Sequence, residues 1–155
     1  MATNEKKKIP VKEELWATPT SPGEEPQLIG SKCPSCGEVY FPKMLKGWCV
    51  HCQQPGLEDI KLSRKGKIAS FTVIMQPPAG GFYKGPVPYA YGWVDLPEEV
   101  RVETLFTGCD FEELKAGKDF TELEPGADVE LVIEKVFDDD EGNEVMTHKF
   151  KPVKK

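Results

Sequence analysis

A chain of 155 residues and 17.3 kDa holds one medium-sized domain or two small ones. Its 39% hydrophobic content is too high for a wholly disordered protein, and its 14 glycines and 14 prolines are too many for a helical bundle, which leaves a β-rich fold with many turns. The net charge of −6 is uneven: residues 1–65 carry 10 Lys/Arg against 8 Asp/Glu, residues 66–155 carry 10 against 18, and a protein that neutralises nucleic-acid phosphates usually shows the opposite bias.

Residues 1–27 are polar and punctuated by Pro10, Pro19, Pro22 and Pro26, which predicts an N-terminal arm. One helical turn is expected over 11–16, where Leu15 and Trp16 can pack on something larger. Such an arm is either solvated or docked on a partner subunit. Lys6–Lys8 are basic, but Pro10, Lys12, Glu13 and Glu14 stand where a signal peptide needs its apolar stretch. No apolar run approaches the roughly 20 residues that span a bilayer. The expected location is therefore the cytoplasm.

Residues 28–62 carry Cys33-Pro34-Ser35-Cys36 and, twelve residues later, Cys49-Val50-His51-Cys52. Each Cys-x-x-Cys turn presents two sulfurs to one point, so two such turns supply four thiolates at tetrahedral positions. In a chain read as cytoplasmic these are metal ligands, not disulfides. Four thiolates suit structural Zn²⁺ and leave no open position for catalysis; iron is the minor alternative, since the same S4 geometry serves both metals. Gly37 fits a turn that needs positive φ, whereas Gln53 stands in the matching place of the second turn. His51 is expected to face solvent. A segment this small has no core of its own, so the metal is expected to hold it together.

From Gly66 the pattern turns to alternation. Strands are predicted at 68–75, 89–96, 100–106, 129–137 and 145–152, with a helical turn at 111–116 capped by Asp110 and ended by Gly117. Five strands with a helical element between the third and fourth give the order of an OB-fold barrel over 63–155; an open five-stranded sheet is the competitor. Tyr89, Tyr91 and Trp93 recur at period two, which reads as one face of a core strand. Cys109 has no basic or histidine neighbour in sequence and reads as a small packing residue.

The ribbon residues Cys33-Pro34-Ser35-Cys36-Gly37 and Tyr40-Phe41-Pro42, the second cysteine pair, and Gly66-Lys67-Ile68-Ala69-Ser70-Phe71-Thr72-Val73 together resemble the zinc-ribbon/OB-fold proteins associated with thiolases and other acyl-CoA enzymes. Pro88–Leu96 and Phe150-Lys151-Pro152 are similar to later signatures of that family. The resemblance implies a non-catalytic accessory subunit bound to a thiolase-like or hydratase-like partner, with Cys33, Cys36, Cys49 and Cys52 on zinc and coenzyme A or an acyl-CoA shared with the partner. The residues agree in one respect. The two histidines, His51 and His148, have no nucleophile motif around them, and the carboxylates cluster at turns. Lys43, Lys46, Phe82, Tyr83 and Lys84 are the candidate contacts to ligand or partner. The last three lie in the glycine- and aromatic-rich loop 76–88, between the first two barrel strands, a connection that OB-folds often use for ligands. The rival reading is a single-stranded nucleic-acid-binding ribbon and barrel; rubredoxin-like electron transfer is a third and predicts a red iron protein.

Overall fold

The computed structural model describes residues 7–44, 47–81 and 83–153. The expected Lys46 and Phe82 contacts lie outside the described residues. The chain runs β1 (Lys8–Pro10), β2 (Trp16–Ala17), β3 (Gln27–Lys32), β4 (Val39–Tyr40), β5 (Glu58–Lys61), β6 (Lys65–Ile74), β7 (Tyr89–Asp95), β8 (Arg101–Phe106), α1 (Glu112–Lys115), β9 (Asp128–Asp138) and β10 (Glu144–Pro152). Strands β6, β7, β8, β10 and β9 close on themselves: β8 and β10 are parallel neighbours, and β9 pairs antiparallel with both β10 and β6. This closed five-stranded barrel is the OB-fold.

Alternation decides what lies inside it. Ile68, Ala90, Val94, Val102, Phe106, Val129, Leu131 and Phe150 are buried and form one core. Gly92 is required there, because a Cβ would stand 2.1 Å from the Ser70 carbonyl, where β6 bulges between Ile68 and Ser70. The alternation also places Tyr91 and Trp93 on the outer face of β7, with Trp93 exposed, so the aromatic stripe is not a core face. Inward positions go to Ala90, Gly92 and Val94, whose small volumes suit the tight interior. The α1 turn stands between β8 and β9, its Glu112 N–H donating to the Asp110 carboxylate (2.8 Å) and Gly117 following at φ +76.

The first strands form a second, small sheet around β3, which pairs with β2, β4 and β5. Leu28 from β3 and Leu62 just after β5 are fully buried in the same core as the barrel residues, so ribbon and barrel share apolar contacts. Arg64 reinforces the junction. Its guanidinium donates to the carbonyls of Pro26 and Leu131 (the latter at 2.8 Å) and pairs with Glu25 at 2.9 Å.

The helical turn expected over 11–16 is absent. Strand β1 instead runs parallel beside β10, the Val11 N–H donates to the Met146 carbonyl (2.7 Å), Glu14 takes φ +63, and the Leu15 carbonyl accepts from Ile29 (3.0 Å). A lone helical turn is marginal in water, and bonds to neighbouring strands outweigh it here. Residues 8–17 thus strap the chain's own barrel to its ribbon. The Lys43 ammonium completes the strap, between Glu14 (3.4 Å) and Asp59 (3.2 Å).

Candidate metal centre

The two cysteine turns are near copies of each other. In the first, the Cys33 N–H donates to the Glu38 carbonyl and the Gly37 N–H to the Cys33 carbonyl, both at 2.9 Å. In the second, Cys49 donates to Gln54 at 2.9 Å and Gln53 to Cys49 at 2.8 Å. Gly37 and Gln53 occupy equivalent left-handed positions, φ +80 and +62, so the residue that departs from glycine adopts the same turn under strain.

These turns bring Cys33, Cys36, Cys49 and Cys52 together, with all four sulfurs within 4.8 Å of one another. The Cys33–Cys52 and Cys36–Cys49 sulfurs are 3.6 Å apart. Four sulfurs about 2.3 Å from a tetrahedral zinc stand about 3.8 Å from each other, so the cluster has the dimensions of a four-thiolate site. The sequence places the four cysteines for zinc binding in a zinc ribbon, and the geometry agrees.

The surroundings favour thiolate at two positions. Burial pushes the Cys49 thiol up, but the Tyr40 hydroxyl, 3.2 Å from its sulfur, and the backbone N–H groups of Cys52 and His51 outweigh it and bring it down to about 6. Hydrogen bonding from the Cys36 N–H holds Cys33 below its ordinary value against the effect of burial. Tyr40 is in turn pushed up to about 12, chiefly by its bond to Cys49. A divalent ion replaces the protons shared among these sulfurs, so binding releases protons. Tyr40 is the functional side chain that motif reasoning does not assign. Its signal in the sequence is its place four residues past Cys36, in the Tyr40-Phe41-Pro42 run that resembles the family, and the structure sets it in β4 opposite Ser31.

The other expected contacts are scattered. Lys43 is spent on Glu14 and Asp59. The Tyr83 ring stacks on Tyr89 with centroids 4.1 Å apart, and its hydroxyl donates to the Pro86 carbonyl (2.8 Å). The Lys84 ammonium lies 5.9 Å over the Phe137 ring. Loop 76–88 therefore rests partly on its own barrel. His51 is exposed. Cys109 is half-buried and pushed up to about 11 by burial and by the charge of Glu122, which makes it a poor nucleophile.

Fold and centre together define a rubredoxin-like zinc ribbon joined to an OB-fold barrel. Residues 20–58 match the family model of the ChsH2 rubredoxin-like zinc ribbon domain, and residues 59–134 match that of the ChsH2 C-terminal OB-fold domain. The chain is 36% identical over 127 residues to a DUF35 domain-containing scaffold protein of Methanothermobacter thermautotrophicus, covering 81% of this chain and 86% of that protein. It is 31% identical over 137 residues to the benzoylsuccinyl-CoA thiolase subunit BbsA of Thauera aromatica, covering 84% and 80%. The chain belongs to the DUF35 family of zinc-ribbon and OB-fold proteins, whose ChsH2 domain models and archaeal scaffold member it matches along most of its length. A solved structure described as an Ltp2-ChsH2(DUF35) aldolase shares the fold at a TM-score of 0.59 and 23% identity, over 81% of this chain and 84% of that one. No helix among the described residues is long and apolar enough to cross a membrane.

Proposed function

We propose that this chain is a non-catalytic accessory subunit of a coenzyme-A-dependent thiolase complex, helping to position the acyl-CoA or CoA and to stabilise the catalytic partner. The observation that carries the reading is the match to BbsA along most of both chains. A second relative of that name in Geobacter metallireducens, 36% identical over 80 residues, supports it, as does the scaffold naming of the archaeal relatives. The chemistry of the residues is consistent with it. Thiolysis needs an activated cysteine with acid-base partners, and Cys109 is the one cysteine outside the cluster. Its thiol is pushed up, and among the described residues its sulfur reaches only the Thr107 carbonyl, at 3.6 Å.

In this reading Cys33, Cys36, Cys49 and Cys52 hold a structural Zn²⁺. The parts are an arm over 1–27, a ribbon over 28–62 and a barrel over 63–155, acting in the cytoplasm. Loop 76–88, with Tyr83 and the exposed Lys84, is the face offered to the shared thioester. The test is affinity purification of the tagged chain from its native extract, with mass spectrometry and a thiolysis assay on the eluate. Benzoylsuccinyl-CoA is the first substrate to try, given the relatives' name. A stoichiometric thiolase-like chain whose activity is lost on separation supports the reading. Nucleic acid in the eluate, with no acyl-CoA enzyme, moves it to the single-strand-binding alternative.

A further inference from the structure

Where β8 and β10 part, the barrel leaves a strand edge open. The two strands are parallel neighbours only at Lys149↔Leu105 and Phe150↔Phe106. The Thr107 N–H donating to the Phe150 carbonyl (2.9 Å) fixes the phase: odd-numbered β8 residues turn their backbone groups toward β10, even-numbered ones toward β7. Continued by two residues, that ladder would bring the Glu103 N–H to the Met146 carbonyl. The arm takes that carbonyl instead, through the Val11 N–H. On that edge Arg101 and the Glu103 N–H are thus left without a strand partner among the described residues, while the Glu103 carbonyl accepts from the His148 side chain, at its Nε2 (2.8 Å).

The gap between arm and β8 is a groove of about 570 Å³, walled by Val11 and Leu15 of the arm, Phe41 and Pro42 of the ribbon, and Tyr91 and Trp93 of the barrel. With Nε2 donating, His148 Nδ1 is an acceptor, and it is buried without a partner. Charges within the groove are mostly settled internally. Arg101 is held by Asp95 at 2.7 Å and Glu103 accepts from the Tyr91 hydroxyl, which leaves Lys12 as the groove's charged residue with neither an ion pair nor a side-chain hydrogen bond among the described residues.

We propose that this notch receives an extended segment of the catalytic partner by β-strand addition. Its backbone pairs with the open groups of Arg101 and Glu103, a carboxylate meets Lys12, and apolar side chains lie on Phe41 and Trp93. The peptide edge sets the class of occupant. Unpaired backbone donors and acceptors match another peptide backbone, whereas a phosphodiester backbone offers acceptors but no donors to a strand edge. The partner's identity rests on the accessory-subunit reading; the notch itself does not.

The experiment uses the full zinc-loaded chain and the complex purified with its thiolase-like subunit. Amide exchange at 101–103 is expected to slow by about tenfold or more on complex formation. Glu103→Pro removes an N–H that no strand among the described residues uses, and it is expected to weaken partner binding by about tenfold, whereas Glu103→Ala keeps the N–H and costs less than about threefold. If the proline variant loses zinc or its sheet signal, Lys12→Glu replaces it, with a weakening of about threefold or more expected. A complex that forms with 101–103 unprotected, or with proline and alanine variants binding alike, overturns the notch and leaves the accessory-subunit reading standing. An eluate without a thiolase-like chain overturns both. Protection that grows with the free chain's own concentration assigns the edge to a second copy, and quenching of Trp93 fluorescence by an oligothymidylate assigns it to nucleic acid; either result overturns the proposal.

Discussion

Replacing Arg64 with alanine tests whether ribbon and barrel are held as one unit. The guanidinium is largely buried, with 18% of its side chain exposed, and it donates to two backbone carbonyls, Pro26 before β3 and Leu131 in β9. A hydrogen bond from a charged donor contributes about 1.5–3 kcal/mol, and its loss leaves a part-buried carbonyl unpaired. The ion pair to Glu25 adds little, because that carboxylate is 61% exposed and such pairs are worth about 0–1 kcal/mol. Two bonds at the low end give a loss of about 3 kcal/mol. In a chain of this length that lowers the melting temperature of the zinc-loaded protein by about 6–12 °C. Arg64→Lys keeps the charge near Glu25 but cannot span both carbonyls, so it should lose about half as much. The assay is urea unfolding of the three proteins with amide exchange at β3. A loss below about 1 kcal/mol for alanine, or a lysine variant as stable as the parent, refutes the clamp.

Three further outcomes are expected. Cys49→Ser removes a buried ligand that Tyr40 and two backbone N–H groups help ionise, so zinc content measured by mass spectrometry should fall from one equivalent toward zero. The turns around 33–57 should then exchange freely while the barrel's sheet signal stays, and retained stoichiometric zinc would contradict the four-thiolate assignment. Gln53→Gly relieves a left-handed residue and should stabilise the loaded protein by about 0.5–1 kcal/mol in urea unfolding. Burial holds His148 below its ordinary 6.5, outweighing the pull of the Glu103 carbonyl. The unfolded chain therefore binds the extra proton first as pH falls, and the contribution of neutral His148 is full above about 6.5 and lost below it, toward the folded value. Thermal melts of His148→Phe should lack that part of the acid loss, and an unchanged difference between pH 7.5 and pH 5.5 would show that the imidazole is not the titrating group.

Much of this was readable in one dimension, and the limits follow from where the determining forces lie. The cysteine spacing is a local chemical fact, so the cluster was legible without a structure. The five barrel strands were too, since β-branched alternation with glycine and proline punctuation is a local signal, and each strand fell within a few residues of its expected ends. The helical turn expected over 11–16 does not form because the conformation there is set by distant partners: Lys8 to Pro10 pair with Glu144 to Met146, more than a hundred residues away. The period of two at Tyr89, Tyr91 and Trp93 says that these residues share a face, not which face is inside. That choice was made by Ala90, Gly92 and Val94 fitting a narrow interior. Lys43 looked free for a ligand because Glu14 and Asp59 are distant in sequence.

The ties between ribbon and barrel bear on what the zinc does. Leu28 and Leu62 are sealed into the barrel core, Arg64 bridges Pro26 and Leu131, and Phe41 meets His148 edge to face with ring centroids 5.4 Å apart. Of these ties, Phe41 depends most on the cysteine turns, because it follows β4, whose Tyr40 hydroxyl is bonded to the Cys49 sulfur. Loss of metal is therefore expected to leave Leu28, Leu62 and Arg64 in place and to act on the notch through Tyr40 and then Phe41, whose ring packs on the side chain that holds the Glu103 carbonyl. A centre with all four positions filled by thiolate does no chemistry of its own. In this fold it fixes one wall of the groove in which a partner strand is proposed to lie, so zinc removal is expected to weaken partner binding while the barrel remains folded, and an affinity unchanged by chelation would separate the metal from the notch.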